Sequence, residues 1–271
     1  MNPSHVSQRC ISFGVPFQLA ADSGLLLAKM LGRAPPGTQP CASGPEGAPR
    51  FTLLTPSGSA GYCLVAGDEV VAQSAELQPI LDQLARDLMV HVANHAPERV
   101  FMHAGVVGWQ GRALVLPGAS FAGKTTLVAE LVRAGAAYYS DEYAVLDEQG
   151  RVHPYPRDLQ MRRPALPEQT PVAIEELKGT VGAAPLPVSH VVFSEYLESA
   201  QWMPEPVSAG MAVLEMLRHT IPVQRTPARA MAALAKVMQT ATAMRSARGE
   251  ASEAAQSLLT AMRAGSVASL V

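Results

Sequence analysis

Cysteine is scarce in this chain: three in 271 residues, at Cys10, Cys41 and Cys63. Their wide spacing and odd number exclude a disulfide framework and a CxxC metal knuckle, and imply reduced thiols in a cytoplasmic protein. No structural zinc is expected from the seven histidines. No stretch approaches the roughly 18 uninterrupted apolar residues of a membrane span. Met1–Cys10 has no basic segment followed by an apolar run, so neither a secretory signal nor a membrane partner is expected. An excess of basic charge is missing as well. Lys plus Arg total 21 against 23 Asp plus Glu, a net charge of −2. That balance excludes a broad basic surface for nucleic acid, whose affinity rests on many phosphate contacts. Lysine itself is confined to Lys29, Lys124, Lys178 and Lys236.

What is present suits a folded α/β protein. Apolar residues make up 48% and charged residues 16% of a chain long enough for one large or two smaller domains. The pattern divides it into a small N-terminal α/β region, 1–97, of unassigned role, and a second domain, 98–271. In the first, Ile11–Leu19 and Phe51–Thr55 have strand character, and Tyr62–Ala66 with Glu69–Ala72 predicts a hairpin around Gly67-Asp68. Arg33–Arg50 reads as a loop. Ala75–Asn94 carries Leu77, Ile80, Leu81, Leu84, Leu88 and Val92 at helical spacing. In the second, Val100–His103 and Val106–Trp109 flank an expected turn, and Arg112–Leu116 is a short strand. Leu127–Arg133 predicts a helix stopped by Gly135, followed by a strand at Ala136–Tyr139. Tyr143–Asp147 and Arg151–Tyr155 predict a hairpin, and Pro154–Pro171 an irregular loop. Val188–Glu195 predicts a late strand. Helices are expected at Ser208–His219, Pro227–Arg245 and Ala251–Ala264, with the apolar residues of Met211–Leu217 and Met231–Met244 in the core.

The chemistry concentrates between these elements. Gly118-x-x-x-x-Gly123-Lys124-Thr125 matches the Walker A pattern between a strand and a helix. A loop that wraps phosphate turns its backbone N–H groups inward, which glycine permits, and the following helix adds its positive end. Gly118, Ala119, Ser120, Phe121, Ala122, Gly123, Lys124, Thr125 and Thr126 are therefore the candidate nucleotide-binding residues. Lys124 brings charge to the β- and γ-phosphates, and the Thr125 hydroxyl is a ligand for Mg²⁺. Asp141 and Glu142 follow the next strand. In a parallel βαβ unit that strand end lies beside the phosphate loop, so both acids are candidates for metal ligation and for accepting the acceptor's proton.

His103-Ala-Gly-Val-Val, Leu116-Pro-Gly-Ala-Ser-Phe-Ala-Gly-Lys-Thr-Thr126 and Tyr139-Ser-Asp-Glu-Tyr143 together resemble the C-terminal domain of HPr kinase/phosphorylase and its relatives. The resemblance covers Phe101–Tyr155 and extends to about Met238. It implies a P-loop kinase core of the phosphoenolpyruvate carboxykinase-like fold, using ATP and Mg²⁺ to phosphorylate a serine of a protein or peptide. It also implies a site role for His103, which matches a histidine ahead of the family's P-loop strand, and a homo-oligomer by analogy. Three departures stand beside it: Asp141-Glu142 in place of tandem aspartates, Phe121 in place of a loop glycine, and no Glu-Ile-Arg-Gly-Leu-Gly segment. These turn the substrate expectation away from HPr itself and leave a non-transferring nucleotide-binding regulator and an NTPase as alternatives. Arg157, Asp158, Arg162 and Arg163 are secondary candidates on the loop that follows.

Overall fold

The computed structural model describes residues 6–42, 47–56, 61–118, 123–162 and 169–264. They fall into two units, Met1–Glu98 and Arg99–Val271. In the first, β1 (Val6–Ser12) and β2 (Val15–Ala21) form a hairpin across Phe13-Gly14. Both turn residues have positive φ, 47° and 78°, as a two-residue hairpin turn of matching twist requires. This corrects the single strand expected over Ile11–Leu19. The turn was hidden because Phe13 takes a left-handed conformation that bulky residues seldom adopt. β3 (Gln39–Pro40), β4 (Arg50–Leu54), β5 (Tyr62–Ala66) and β6 (Glu69–Ser74) complete a sheet of order β3-β1-β2-β4-β5-β6. Helix α1 (Gly24–Leu31), not foreseen in the sequence, starts at Ser23, whose Oγ accepts from the Leu26 N–H at 3.3 Å. Helix α2 (Leu77–His95) buries Ile80, Leu84, Leu88 and Val92 against the sheet at the spacing of its apolar stripe. His91 and His95 share one face of α2 with ring centroids 4.5 Å apart. Among the described residues no third ligand joins them into a metal group.

The second unit is organised around β7 (Val100–Trp109). Its partners are β8 (Arg112–Pro117) on one edge, and β9 (Ala137–Ser140) and β10 (Tyr143–Leu146) end to end on the other, all antiparallel. The turn expected within Val100–Trp109 does not exist. Gly105, between the two expected strands, serves packing: a Cβ there would meet Val128 Cγ2 at 2.6 Å. β11 (Arg151–His153) pairs with β10 and with the start of β14 (Leu186–Tyr196). β12 (Leu159–Arg162) and β13 (Gln169–Val172) form a separate hairpin within the segment expected to be irregular. Beyond β8 the sheet continues in the order β14, β16 (Thr242–Arg248), β15 (Glu205–Val207), with β8, β14 and β16 parallel.

Helices cover both faces of this sheet. α3 (Lys124–Arg133) and α6 (Ala251–Ala264) bury Leu127, Leu131 and Leu258 against Leu114, Leu116 and Met244. α4 (Ala209–Arg218) and α5 (Pro227–Val237) bury Met216 and Leu234 against Val106, Val115 and Val191. Adjacent strand residues such as Leu114 and Val115 therefore enter opposite cores, and β8 is continuously apolar after its exposed Arg112, as a doubly covered sheet demands. Each such leucine stabilises the fold by about 1.5–3 kcal/mol. The helix expected over Pro227–Arg245 ends at Val237, and Thr242–Arg245 belong to β16. Ala, Met and Arg are good helix formers, but parallel pairing with β14 overrides that preference. The methionine expectation needs the same correction: Met216 and Met244 are buried, whereas Met211 and Met231 are 56% and 44% exposed. The described protein is mixed α/β, and none of its described helices is long and apolar enough to cross a membrane.

Candidate active site

β8 delivers the chain to Gly118, whose N–H donates to the His103 carbonyl at 3.3 Å. The chain re-enters at Gly123, in the left-handed conformation with φ 76°, and α3 begins at Lys124. Ala119, Ser120, Phe121 and Ala122 lie outside the described residues. The Lys124 ammonium donates to the Gly118 carbonyl at 2.9 Å and so spans the two ends of the loop. Burial pushes its pKa down, while Glu142 and Asp141 act in the opposite direction. Thr125 sits in the first turn of α3 with its hydroxyl turned to Asp141, and Thr126 is exposed.

The acids occupy a break in the ladder along β7. β9 and β10 pair with β7 on either side of Asp141-Glu142, with Val106 opposite Ser140 and His103 opposite Tyr143. The Ser140 hydroxyl accepts from the Glu142 and Tyr143 N–H groups at 3.1 and 2.9 Å, which fixes the break. The parallel neighbour expected for β8 is corrected in one respect. β9 runs in the same direction as β8, but β7 lies between them. The acids nevertheless reach the loop. Asp141 Oδ2 accepts from Thr125 Oγ1 at 3.1 Å, and Oδ1 faces the Tyr138 hydroxyl at 3.1 Å. That hydroxyl also lies 2.8 Å from the Arg157 carbonyl, so its one proton meets two acceptors. A proton on Asp141 relieves the shortage. Burial, reinforced by Glu142, in fact pushes the Asp141 carboxyl up to about 6 against the hydrogen bonds and Lys124.

Glu142 differs from its neighbour. Its side chain is 39% exposed, with Oε1 3.9 Å from His103 Nδ1. His103 is held below its usual range by burial and Lys124, opposed by Glu142. Its ring lies 4.7 Å from that of Tyr143, which with Phe101 and Tyr155 forms an edge-to-face cluster behind the acids.

Three residues of this region were not singled out in the sequence as site residues. Tyr138 is fully buried and orients Asp141. His219, at the end of α4, accepts the His103 N–H on its carbonyl at 2.8 Å, and its pKa is lowered by burial and by Lys124. Arg248, at the end of β16, donates from Nη2 to the Gly123 carbonyl at 2.7 Å. Only a different strand assignment for Thr242–Arg248 could have pointed to it. Among the secondary candidates, Arg157 contributes its carbonyl to Tyr138 and its charge to Tyr155 and Tyr143. Asp158 is exposed. Arg162 pairs through its backbone with Gln169, its side chain being outside the described set, and Arg163 is outside it altogether. No protein-family model matches the chain, and no curated protein matches it significantly.

Proposed function

We propose that the Arg99–Val271 unit binds ATP with Mg²⁺ and transfers the γ-phosphoryl group to a serine hydroxyl of a protein or peptide. The observation that carries this reading is the meeting of Thr125 and Asp141 at 3.1 Å, at the mouth of a Walker A sequence whose lysine bridges Gly118 and α3. Oxygens bound cis on one octahedral Mg²⁺ at about 2.1 Å lie about 3.0 Å apart, so this pair fits two such ligands once Asp141 is ionised. Bound there, the cation supplies charge neutralisation on the β- and γ-phosphate oxygens. Lys124 leaves the Gly118 carbonyl for a phosphate oxygen, an exchange of one hydrogen bond for a charge-assisted one.

The two acids divide the remaining work by exposure. Asp141, with both oxygens engaged, serves the metal side. Glu142, half-exposed beside His103, accepts the proton as the serine oxygen bonds to the γ-phosphorus and ADP leaves. The resemblance to the C-terminal domain of HPr kinase/phosphorylase supports base and metal-side functions for the acid pair as a whole and, with them, a phosphoenolpyruvate carboxykinase-like core.

Incubation with γ-labelled ATP, Mg²⁺ and a serine-containing peptide library tests the reading. Label on serine that is lost in Lys124→Ala and Glu142→Gln is the expected result. Free labelled phosphate alone would support an NTPase, and nucleotide binding with no turnover a regulatory protein; either outcome removes the kinase.

A further inference from the structure

At the exit of the phosphate loop lies a cation that the proposed chemistry has not used. Arg248 is 2% exposed, and burying a guanidinium is costly unless a carboxylate compensates it. Its contacts are the Gly123 carbonyl at 2.7 Å, the Gly249 carbonyl at 3.2 Å and the Tyr196 ring, whose centroid is 5.6 Å from the guanidinium carbon. Among the described residues its Nε is buried with no hydrogen-bond partner and no carboxylate lies within ion-pair distance; the exposed Glu250, two positions on, acts on the guanidinium only from farther away. Arginine does not give up its proton under such conditions, so the charge stays.

The place of that charge is as informative as its isolation. Gly123 caps the N-terminus of α3, and its carbonyl accepts both from Arg248 and from the Leu127 N–H of the first helical turn. The start of a helix is already positive, and the Lys124 ammonium stands beside it. The Asp141 and Glu142 carboxylates act on Lys124, whereas the Arg248 guanidinium adds its charge to the helix start with no carboxylate in ion-pair reach among the described residues. The sequence also accommodates the arrangement closely. Gly123 is left-handed at φ 76°, and a Cβ there would fall 2.5 Å from Arg248 Nη2, so glycine both suits the backbone and leaves the guanidinium its place. β16 runs parallel to β14 with Arg248 level with Tyr196, which brings the side chain to the carboxyl-end rim of the sheet where α/β proteins bind ligands.

Resting on the polyphosphate reading above, we propose that Arg248 is a positioning residue of the phosphate site whose buried charge is balanced by the bound polyphosphate. It fixes the Gly123 carbonyl at the start of α3 and adds to the field that holds the phosphates, without touching the reacting atoms.

The test compares Arg248→Gln, which keeps a donor toward Gly123 but removes the charge, with Arg248→Lys, which keeps the charge but loses the fork. Affinities for MgATP, AMP and pyrophosphate are measured by calorimetric titration, together with the ligand-free melting temperature. R248Q is expected to weaken MgATP and pyrophosphate binding about tenfold or more and AMP binding much less, with R248K within about threefold of wild type. Ligand-free R248Q is expected to melt no lower than wild type, because an uncompensated buried charge has gone. Equal effects of the two variants, or equal losses for AMP and MgATP, would overturn the proposal. So would failure of both variants to fold, since the guanidinium would then be a structural requirement. If wild type binds neither MgATP nor pyrophosphate, the polyphosphate reading falls with it. If wild type binds and R248Q binds equally well, the role of Arg248 alone is lost.

Discussion

Replacing Asp141 by asparagine is expected to stabilise the ligand-free protein at neutral pH and to do nothing for it in acid. Burial moves this carboxyl from its ordinary 3.8 to about 6 in the folded chain. The folded state therefore holds the proton more tightly than the unfolded state does. The stability linked to that proton is fully present below pH 3.8 and is lost as the pH rises through about 6. At about 1.36 kcal/mol per pH unit, the native state at pH 7–8 carries a burden of about 3 kcal/mol that neutral asparagine lacks. Asparagine also satisfies the neighbours: its carbonyl accepts from Thr125, and its amide donates to Tyr138 while Tyr138 donates to Arg157. Urea unfolding at pH 4, 5, 6, 7 and 8 reads the difference, and the two tryptophans, Trp109 and Trp202, both report on the Arg99–Val271 unit. His103 and His219, both held below the usual histidine range by burial, to first order cancel between wild type and variant. The expected pattern is curves that lie close together near pH 4, separate between about pH 4 and 6, and run parallel above about pH 7, with the variant the more stable by up to about 3 kcal/mol. A variant less stable at pH 8, or a difference independent of pH, would refute the burial and proton count at Asp141.

Other expectations follow from the same geometry. Gly123→Ala forces a left-handed residue and a 2.5 Å contact onto the loop's exit, and should cost about 1–3 kcal/mol in urea unfolding. Tyr138→Phe leaves the Arg157 carbonyl without its donor and should destabilise by about 1–3 kcal/mol. It also removes a bond that favours ionised Asp141, so the acid limb of any phosphoryl-transfer rate profile should move to higher pH. Glu142→Gln withdraws the like charge that raises the Asp141 pKa, and carbon-detected NMR of the Asp141 carboxyl should show a lower titration midpoint than in wild type.

What was legible in the sequence was what depends on near neighbours. Gly67-Asp68 closes its hairpin, the 3.6-residue spacing of Leu84, Leu88 and Val92 marks α2, and the spacing of Gly118, Gly123, Lys124 and Thr125 marks the loop. The approach of Asp141 to Thr125 was also reachable, because chain order through one strand–helix–strand unit leads back to the loop whether or not β7 intervenes. What stayed hidden is set by distant partners. The turn expected between His103 and Val106 falls inside a strand, since nothing local announces that Val128 packs against Gly105. Thr242–Arg248 is composed like a helix and becomes a strand only because β14 lies beside it, which is how Arg248 comes to meet a carbonyl 125 residues away. Tyr138 likewise looks like an ordinary strand tyrosine until the break at Asp141-Glu142 turns a carboxylate back to its hydroxyl.

The central claim is that Gly118–Thr125 holds a polyphosphate, and calorimetric titration of MgATP into the wild-type protein and Lys124→Ala tests it most directly. Saturable binding at one site per chain in wild type, abolished in K124A while the urea transition of the Arg99–Val271 unit is retained, is the expected result. No heat of binding in wild type, or equal affinity in K124A, would contradict it.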